Sequence, residues 1–260
     1  MAHFIPSLPS WALALFLAAT AAATGFSAPM DKPGWKLTFH DEFDGKALDL
    51  TKWSPNDPWG RERNHELQAY VPDAFAVGNG ILRVQAEQRQ ATYAGKERTY
   101  TSGMMTTYQK FAQQYGRFEI RCRVPKGKGM WPAFWLLPEP LAWPPEIDVL
   151  EVLGHEPQKG YFTHHFNDAN RQHKSHGGSW TGPDLSADFH EFAVEWSPER
   201  LVWFVDGVER FRSEDSIPQA KMYLLVNLAV GGDWPGAPVA ATSFPNALEV
   251  DYVRVYSKAP

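Results

Sequence analysis

The chain has a single cysteine, Cys122, in 260 residues, so no disulfide can form within it and the fold stands on packing, with a metal as the one other aid. Basic charge is in deficit: 25 Lys and Arg against 30 Asp and Glu give a formal net charge of −5 and a pI near 6.0. A phosphate backbone selects a cationic face, so no nucleic-acid partner is expected. Long apolar runs are missing beyond residue 30. The earlier one, Trp11 to Ala28, is too short and interrupted for a comfortable membrane span, and it ends in small residues ahead of Asp31 and Lys32. Residues 1–28 therefore read as a signal peptide and 29–260 as the mature domain, secreted or periplasmic. Met1 to Ser10 contain no Lys or Arg, which leaves a retained N-terminal anchor as the alternative. No stable membrane association is expected after cleavage, and the mature chain is expected to be a monomer.

Helical periodicity is also absent after residue 30, where no sustained apolar i, i+3, i+4 pattern occurs. Short alternating runs bounded by Gly, Pro, Asn and Asp recur instead. Strands are expected at Ile81–Glu87, Gly116–Val124, Trp131–Leu137, Glu146–Val152, Phe189–Ser197, Arg200–Val205, Met222–Ala229 and Glu249–Tyr256, with Asp206-Gly207 as a two-residue hairpin turn. Turn spacing, and the lack of any linker or repeat, predict one all-β, two-sheet sandwich. Pro138-Glu139-Pro140 and Trp143-Pro144-Pro145 read as connections between strands.

What the chain has in abundance is aromatic side chains, 14% of residues including 11 Trp, more than a core requires. Alternation places Phe118, Ile120, Cys122 and Val124 on one face and Arg117, Glu119, Arg121 and Arg123 on the other, which alone describes a core thiol beneath a solvated charged face. The next strand differs. Trp131, Ala133, Trp135 and Leu137 share one face while Pro132, Phe134 and Leu136 share the other, and two bulky apolar faces call for a covering layer or a ligand. Sugar rings suit such a face because their C–H surfaces stack on indole while their hydroxyls meet polar groups at the rim.

Glu146-Ile147-Asp148-Val149-Leu150-Glu151 sets three carboxylates within an otherwise apolar strand. Strict alternation pairs Glu146 with Asp148 but turns Glu151 inward, where an unpaired carboxylate costs several kcal/mol. One extra residue in a bulge at Val149-Leu150 returns Glu151 to the same face. The two glutamates would then lie roughly 13 Å apart at Cα, and leaning side chains can bring the carboxyls toward the ~5–5.5 Å of retaining glycoside hydrolysis. Glu146 is assigned as nucleophile, Glu151 as acid/base and Asp148 as the group that tunes them, although spacing alone permits the reverse order. An acidic surface strand or a calcium site is the competing account of the run.

These residues resemble glycoside hydrolase family 16, in particular its laminarinase-like branch with the bulged E-x-D-x-x-E motif. The similarity extends through Phe39-His40-Asp41-Glu42-Phe43-Asp44-Gly45, Asn64-His65-Glu66-Leu67-Gln68-Ala69-Tyr70, Tyr115-Gly116-Arg117-Phe118-Glu119 and Met130-Trp131-Pro132-Ala133-Phe134-Trp135. It continues in Val194-Glu195-Trp196-Ser197-Pro198, Asn227 through Gly236 and Asp251-Tyr252-Val253-Arg254-Val255-Tyr256. The resemblance implies a concanavalin A-like β-jelly roll of two curved antiparallel sheets with a concave cleft, and hydrolysis with retention through a glycosyl-enzyme intermediate. It also supports Glu146 as nucleophile. Positions matching Asn64, Glu119, Arg121, Trp131, Trp135, His165, Asn227 and Trp234 are implied to contact substrate.

The resemblance implies no cofactor for catalysis and a structural calcium at Asp251. Adjacent His164 and His165 point to opposite faces of a strand and cannot jointly chelate a metal, so His165 is read as a sugar contact and His164 as structural or solvent-facing. Ser102-Gly103-Met104-Met105 and the Val152 to Pro157 continuation depart from the common pattern, which bears on specificity. The expected substrate is a β-1,3- or mixed β-1,3-1,4-glucan, with a bacterial exopolysaccharide, transglycosylation, and a non-catalytic lectin on the same fold as alternatives.

Overall fold

The computed structural model describes Met1, residues 30–139 and residues 141–259. The signal-peptide expectation concerns a stretch that, Met1 apart, lies outside them. Two antiparallel sheets stack face to face, and no helix forms among the described residues. One sheet runs in the spatial order Val208–Ser213, Leu201–Val205, His190–Trp196, Gly116–Arg123, Asn246–Lys258, Ile81–Ala86 and Phe75–Gly78, and Trp35–Asp41 pairs with the distal half of Asn246–Lys258. The other runs His173–Thr181, Lys159–Asn167, Glu146–Val152, Met130–Pro138, Met222–Val230 and Met104–Thr106.

The core follows from alternation. Leu82, Val84 and Ala86 are buried along Ile81–Ala86 while their neighbours are half-covered. Phe118, Ile120 and Cys122 enter the space between the sheets from one side, and Phe134, Leu136, Val226 and Leu228 from the other, all fully buried. Every expected strand forms, with ends shifted by up to three residues. Asp206-Gly207 turns with φ of +50° and +75°, the paired positive values of a type I′ hairpin.

Three strands of the second sheet escape sequence analysis, one of them the three-residue Met104–Thr106. Lys159–Asn167 lacks a clean alternation, and His173–Thr181 is a mostly exposed edge rich in His, Ser and Gly. Gly178 explains part of that composition: a Cβ there would lie 2.5 Å from the Phe211 ring of the opposite sheet. The edge can close over the core only where the side chain is missing.

Candidate active site

The acidic strand carries the expected bulge. Against Met130–Pro138, Ile147 pairs with Leu136 and Asp148 with Trp135, but Leu150 then pairs with Phe134 and Glu151 with Ala133, leaving Val149 as the extra residue. On its other side, Asp148 pairs with Thr163 and Glu151 with Tyr161, with the same break in register. Val149 and Leu150 both go to the core. The Trp203 indole N–H, reaching across from the first sheet, donates to the carbonyl oxygen of Asp148 at 2.8 Å. That bond satisfies a backbone acceptor at the point where the ladder is broken.

Glu146, Asp148 and Glu151 consequently open together on the outer face of the second sheet, at the floor of a cleft of about 970 Å³. The Trp131 indole donates to Glu151 Oε1 at 3.0 Å, and the Trp143 indole to Glu146 Oε2 at 2.6 Å. Burial, reinforced by like charge, raises all three acids. Glu151 is pushed up to about 8 by desolvation and then by the charge of Glu146. Glu146 and Asp148 are likewise raised well above ordinary carboxylates, first by desolvation and then by a neighbouring acid. Three such groups cannot all ionise, so they share protons. Opposing the rise at Glu146 are the His165 charge and the Trp143 N–H, which favour negative charge there.

Beside the acids, Trp135 donates to Asn227 Oδ1 at 2.8 Å, and the Asn227 amide donates to the Tyr70 hydroxyl at 3.2 Å. Tyr70 and Gln68 donate in turn to Glu66 Oε2, at 3.2 and 2.7 Å. Trp59 stacks on Trp135 with ring centroids 6.0 Å apart and carries the Arg63 guanidinium on its other ring contact at 4.7 Å. Arg63 is itself held by Asp57 through two 3.1 Å hydrogen bonds. The Trp234 ring meets Trp131 and Tyr161 edge to face, at 5.5 and 4.7 Å. Asn64 and His65 adopt φ of +48° and +51°, and the Asn64 carbonyl accepts from Asp233 N–H at 2.9 Å. This strained pair joins the two loops at one rim.

Of the residues put forward from sequence, Asn64, Trp131, Trp135, Glu146, Asp148, Glu151, His165, Asn227 and Trp234 all line this cleft. Glu119 and Arg121 do not. Their strand, Gly116–Arg123, lies in the opposite sheet, and the face they occupy points away from the cleft. Glu119 is 1% exposed and held by Lys32 at 2.8 Å and Arg117 at 2.7 Å; Arg117 extends the ion network to Glu191 and Glu195. Arg121 pairs with Asp251 and lies over the Phe189 ring. The residues at Asp251 do not fit a calcium ion. Its carboxylate is taken up by a guanidinium, and the nearby Glu249 is bound by Arg83 and Arg123, so the local charge repels a cation.

His164 is fully buried, 3.3 Å from Ser213 Oγ, and desolvation holds its pKa down at about 4. It is structural. The cleft also includes Met104, noted from the sequence only as a departure bearing on specificity, and Trp59, Arg61, Arg63, Glu66, Tyr70, Trp143 and Thr163, which sequence analysis did not single out. Glu66 and Tyr70 sit in the segment that yielded Asn64, and Trp143 was read as part of a connection. The signal for Trp143 was its place three residues ahead of Glu146.

The model of the glycosyl hydrolases family 16 matches residues 71–253. The chain belongs to this family. Among curated relatives, a β-glucanase of Rhodothermus marinus is 40% identical, over 86% of each chain. An endo-1,3-1,4-β-glycanase of Rhizobium meliloti, EglC, is 39% identical over 90% of this chain, which spans about half, 54%, of that longer protein. Among solved structures, the laminarinase catalytic domain of Thermotoga maritima superposes with a TM-score of 0.78 at 34% identity, covering 87% of this chain and 99% of that one. The glycoside hydrolase therefore has the β-jelly roll that the family resemblance implies, built on the two-sheet sandwich its strand pattern predicts.

Proposed function

We propose that this hydrolase is an endo-acting β-glucanase that cleaves β-1,3- or mixed β-1,3-1,4-glucan with retention. The observation that carries the reading is the bulge, which presents Glu146, Asp148 and Glu151 on one face between the Trp131 and Trp143 indoles. In the first step a Glu146 carboxylate oxygen bonds to the anomeric carbon as the glycosidic C–O bond breaks, and Glu151 gives its proton to the departing oxygen. Water then attacks the same carbon, its proton passes to Glu151, and Glu146 is released. Asp148 holds charge and proton between the two. Trp131, Trp135 and Trp234 offer faces for pyranose rings, and Asn64, His165 and Asn227 offer hydrogen bonds at their edges. The names of the relatives support the glucan as substrate, and a polymer of that kind fits export by the apolar leader.

The decisive experiment incubates the purified chain with laminarin, lichenan, barley glucan, agarose, a bacterial exopolysaccharide and mucin O-glycans, and identifies the products. Mucin is included because endo-acting O-glycanases of the human gut microbiota superpose with a TM-score of 0.80 at 30% identity. β-Anomeric oligosaccharides of several lengths from the first three substrates are the expected outcome. Release from agarose, exopolysaccharide or mucin alone would overturn the glucan assignment, and wild-type turnover by Glu146→Gln would overturn the mechanism. Products longer than the substrate at high acceptor concentration would reveal a transglycosylase.

A further inference from the structure

One oxygen in the catalytic group is left over by the scheme above. Asp148 Oδ2 is sealed from solvent and meets no hydrogen-bond partner, in a residue only 3% exposed. Facing it is His165 Nε2, 3.4 Å away. The other ring nitrogen, Nδ1, lies 3.0 Å from His173 Nε2. In the neutral form of His165, as distinct from the imidazolium whose charge acts on Glu146, the tautomer that donates Nδ1–H to His173 turns the Nε2 lone pair toward a carboxylate oxygen. Two acceptors then face each other, and that arrangement calls for a positive species between them.

The distances say which species fits. A tetrahedral Zn²⁺ ion with bonds of about 2.0–2.1 Å holds its ligand atoms about 3.3 Å apart, close to the His165–Asp148 separation. The Glu146 carboxylate completes the set, since one donor atom from each of the three residues lies within 4.8 Å of the others. A side-chain shift of up to about 1.5 Å closes that span to the tetrahedral edge. His173 occupies the place of the outer partner that orients a metal-bound imidazole and fixes its tautomer. Among the described residues no other three His, Cys, Asp or Glu gather at such spacing.

We propose that Glu146, Asp148 and His165 form a chelating site for a divalent transition-metal ion, Zn²⁺ in particular, and that filling it switches the hydrolase off. An imidazole with two carboxylates suits Zn²⁺ better than Ca²⁺, which takes six to eight oxygens, or Mg²⁺, which needs octahedral oxygen. The inhibition has a direct cause: Glu146 cannot attack a sugar while its oxygen binds the ion, and Asp148 can no longer exchange a proton.

Calorimetric titration of the full chain with ZnCl₂ tests the site without reference to any substrate. One equivalent should bind, hydrolysis should be lost with the same midpoint, and a chelator should restore it. CaCl₂ and MgCl₂ at equal concentration should give neither effect. His165→Gln should weaken Zn²⁺ binding at least 30-fold, and His173→Ala by about 10-fold through loss of the outer partner; circular dichroism verifies that both variants are folded. His65→Ala, which removes an exposed pair with Asp233, should leave the affinity unchanged. Absence of Zn²⁺ binding, affinity indifferent to His165→Gln, or binding without inhibition would each overturn the proposal. A glucan that is not the substrate would leave the calorimetric result standing, so the two readings fail separately.

Discussion

At the scale of the residue, the acids are controlled by single indole N–H groups. Trp143 is 55% exposed yet donates to Glu146 at 2.6 Å, and a hydrogen bond to a charged acceptor contributes about 1.5–3 kcal/mol. Trp143→Phe keeps a ring over the cleft but removes the donor. The acidic limb of the kcat/KM profile should move to higher pH and kcat should fall about 10- to 100-fold; an unmoved limb would show that the indole only packs. Glu151 sets the other limb. Its acid form is the competent one and its pKa is raised to about 8, so activity should fall as pH rises through that value. Glu151→Gln should abolish release of poor leaving groups and, with activated aryl glycosides, erase the alkaline limb. These three acids were legible in the sequence because a buried-type strand had no other use for them. Trp143 was not, since a proline-rich connection carries no sign of which way its one large side chain folds back.

At the scale of the strand, the bulge is what the chain's local pattern predicts and what the pairing delivers. Inserting one alanine between Leu150 and Glu151 puts the new residue on the cleft face and turns Glu151 to the opposite one. That carboxyl would enter the core and a hydrophobic side chain would enter the cleft. Loss of activity together with loss of several kcal/mol of stability is expected in urea denaturation. Trp203→Phe makes a gentler test. It leaves the Asp148 carbonyl without its 2.8 Å donor while retaining most of the ring, and should cost about 1–3 kcal/mol with a larger drop in kcat than in substrate affinity. The Gly116–Arg123 strand shows where periodicity stops being informative. Alternation separates Glu119 and Arg121 from Phe118 and Ile120, but it does not reveal which of two sheets the strand joins. That is settled by non-local pairing with His190–Trp196 and Asn246–Lys258. Resemblance placed the two side chains in the cleft, and pairing places them in an ion network on the far side of the sandwich.

At the scale of the whole molecule, the hydrolase keeps its chemistry at a cost in stability. The folded-state pKa of Glu151 lies near 8, above the ~4.3 of an unfolded glutamate. The native state therefore holds a proton that the unfolded chain gives up. The contribution is fully present below about pH 4 and is lost as pH rises through about 8. Melting between pH 5 and 9 should show a falling Tm in the wild type. Glu151→Gln should flatten that fall and gain about 1–3 kcal/mol at pH 9; a parallel decline in both proteins would place the alkaline instability elsewhere. The two-sheet architecture was legible because turns and alternation repeat along the chain. His173–Thr181 was missed because an edge strand that supplies few apolar contacts carries little pattern, although it brings His173 to the active centre.

The Asp148 carbonyl and its Trp203 donor also bear on how such a site changes over generations. Loops around the cleft rim can lengthen, shorten or exchange side chains, and each change alters only what is recognised. The interval from Glu146 to Glu151 has no such freedom. The face on which its acids lie is fixed from outside by the tryptophan of the opposite sheet and from both flanks by strand pairing, so a one-residue insertion after the bulge removes the reaction in one step while insertions in the rim loops redirect it. New specificities are therefore reached by editing the rim around acids whose facing does not change.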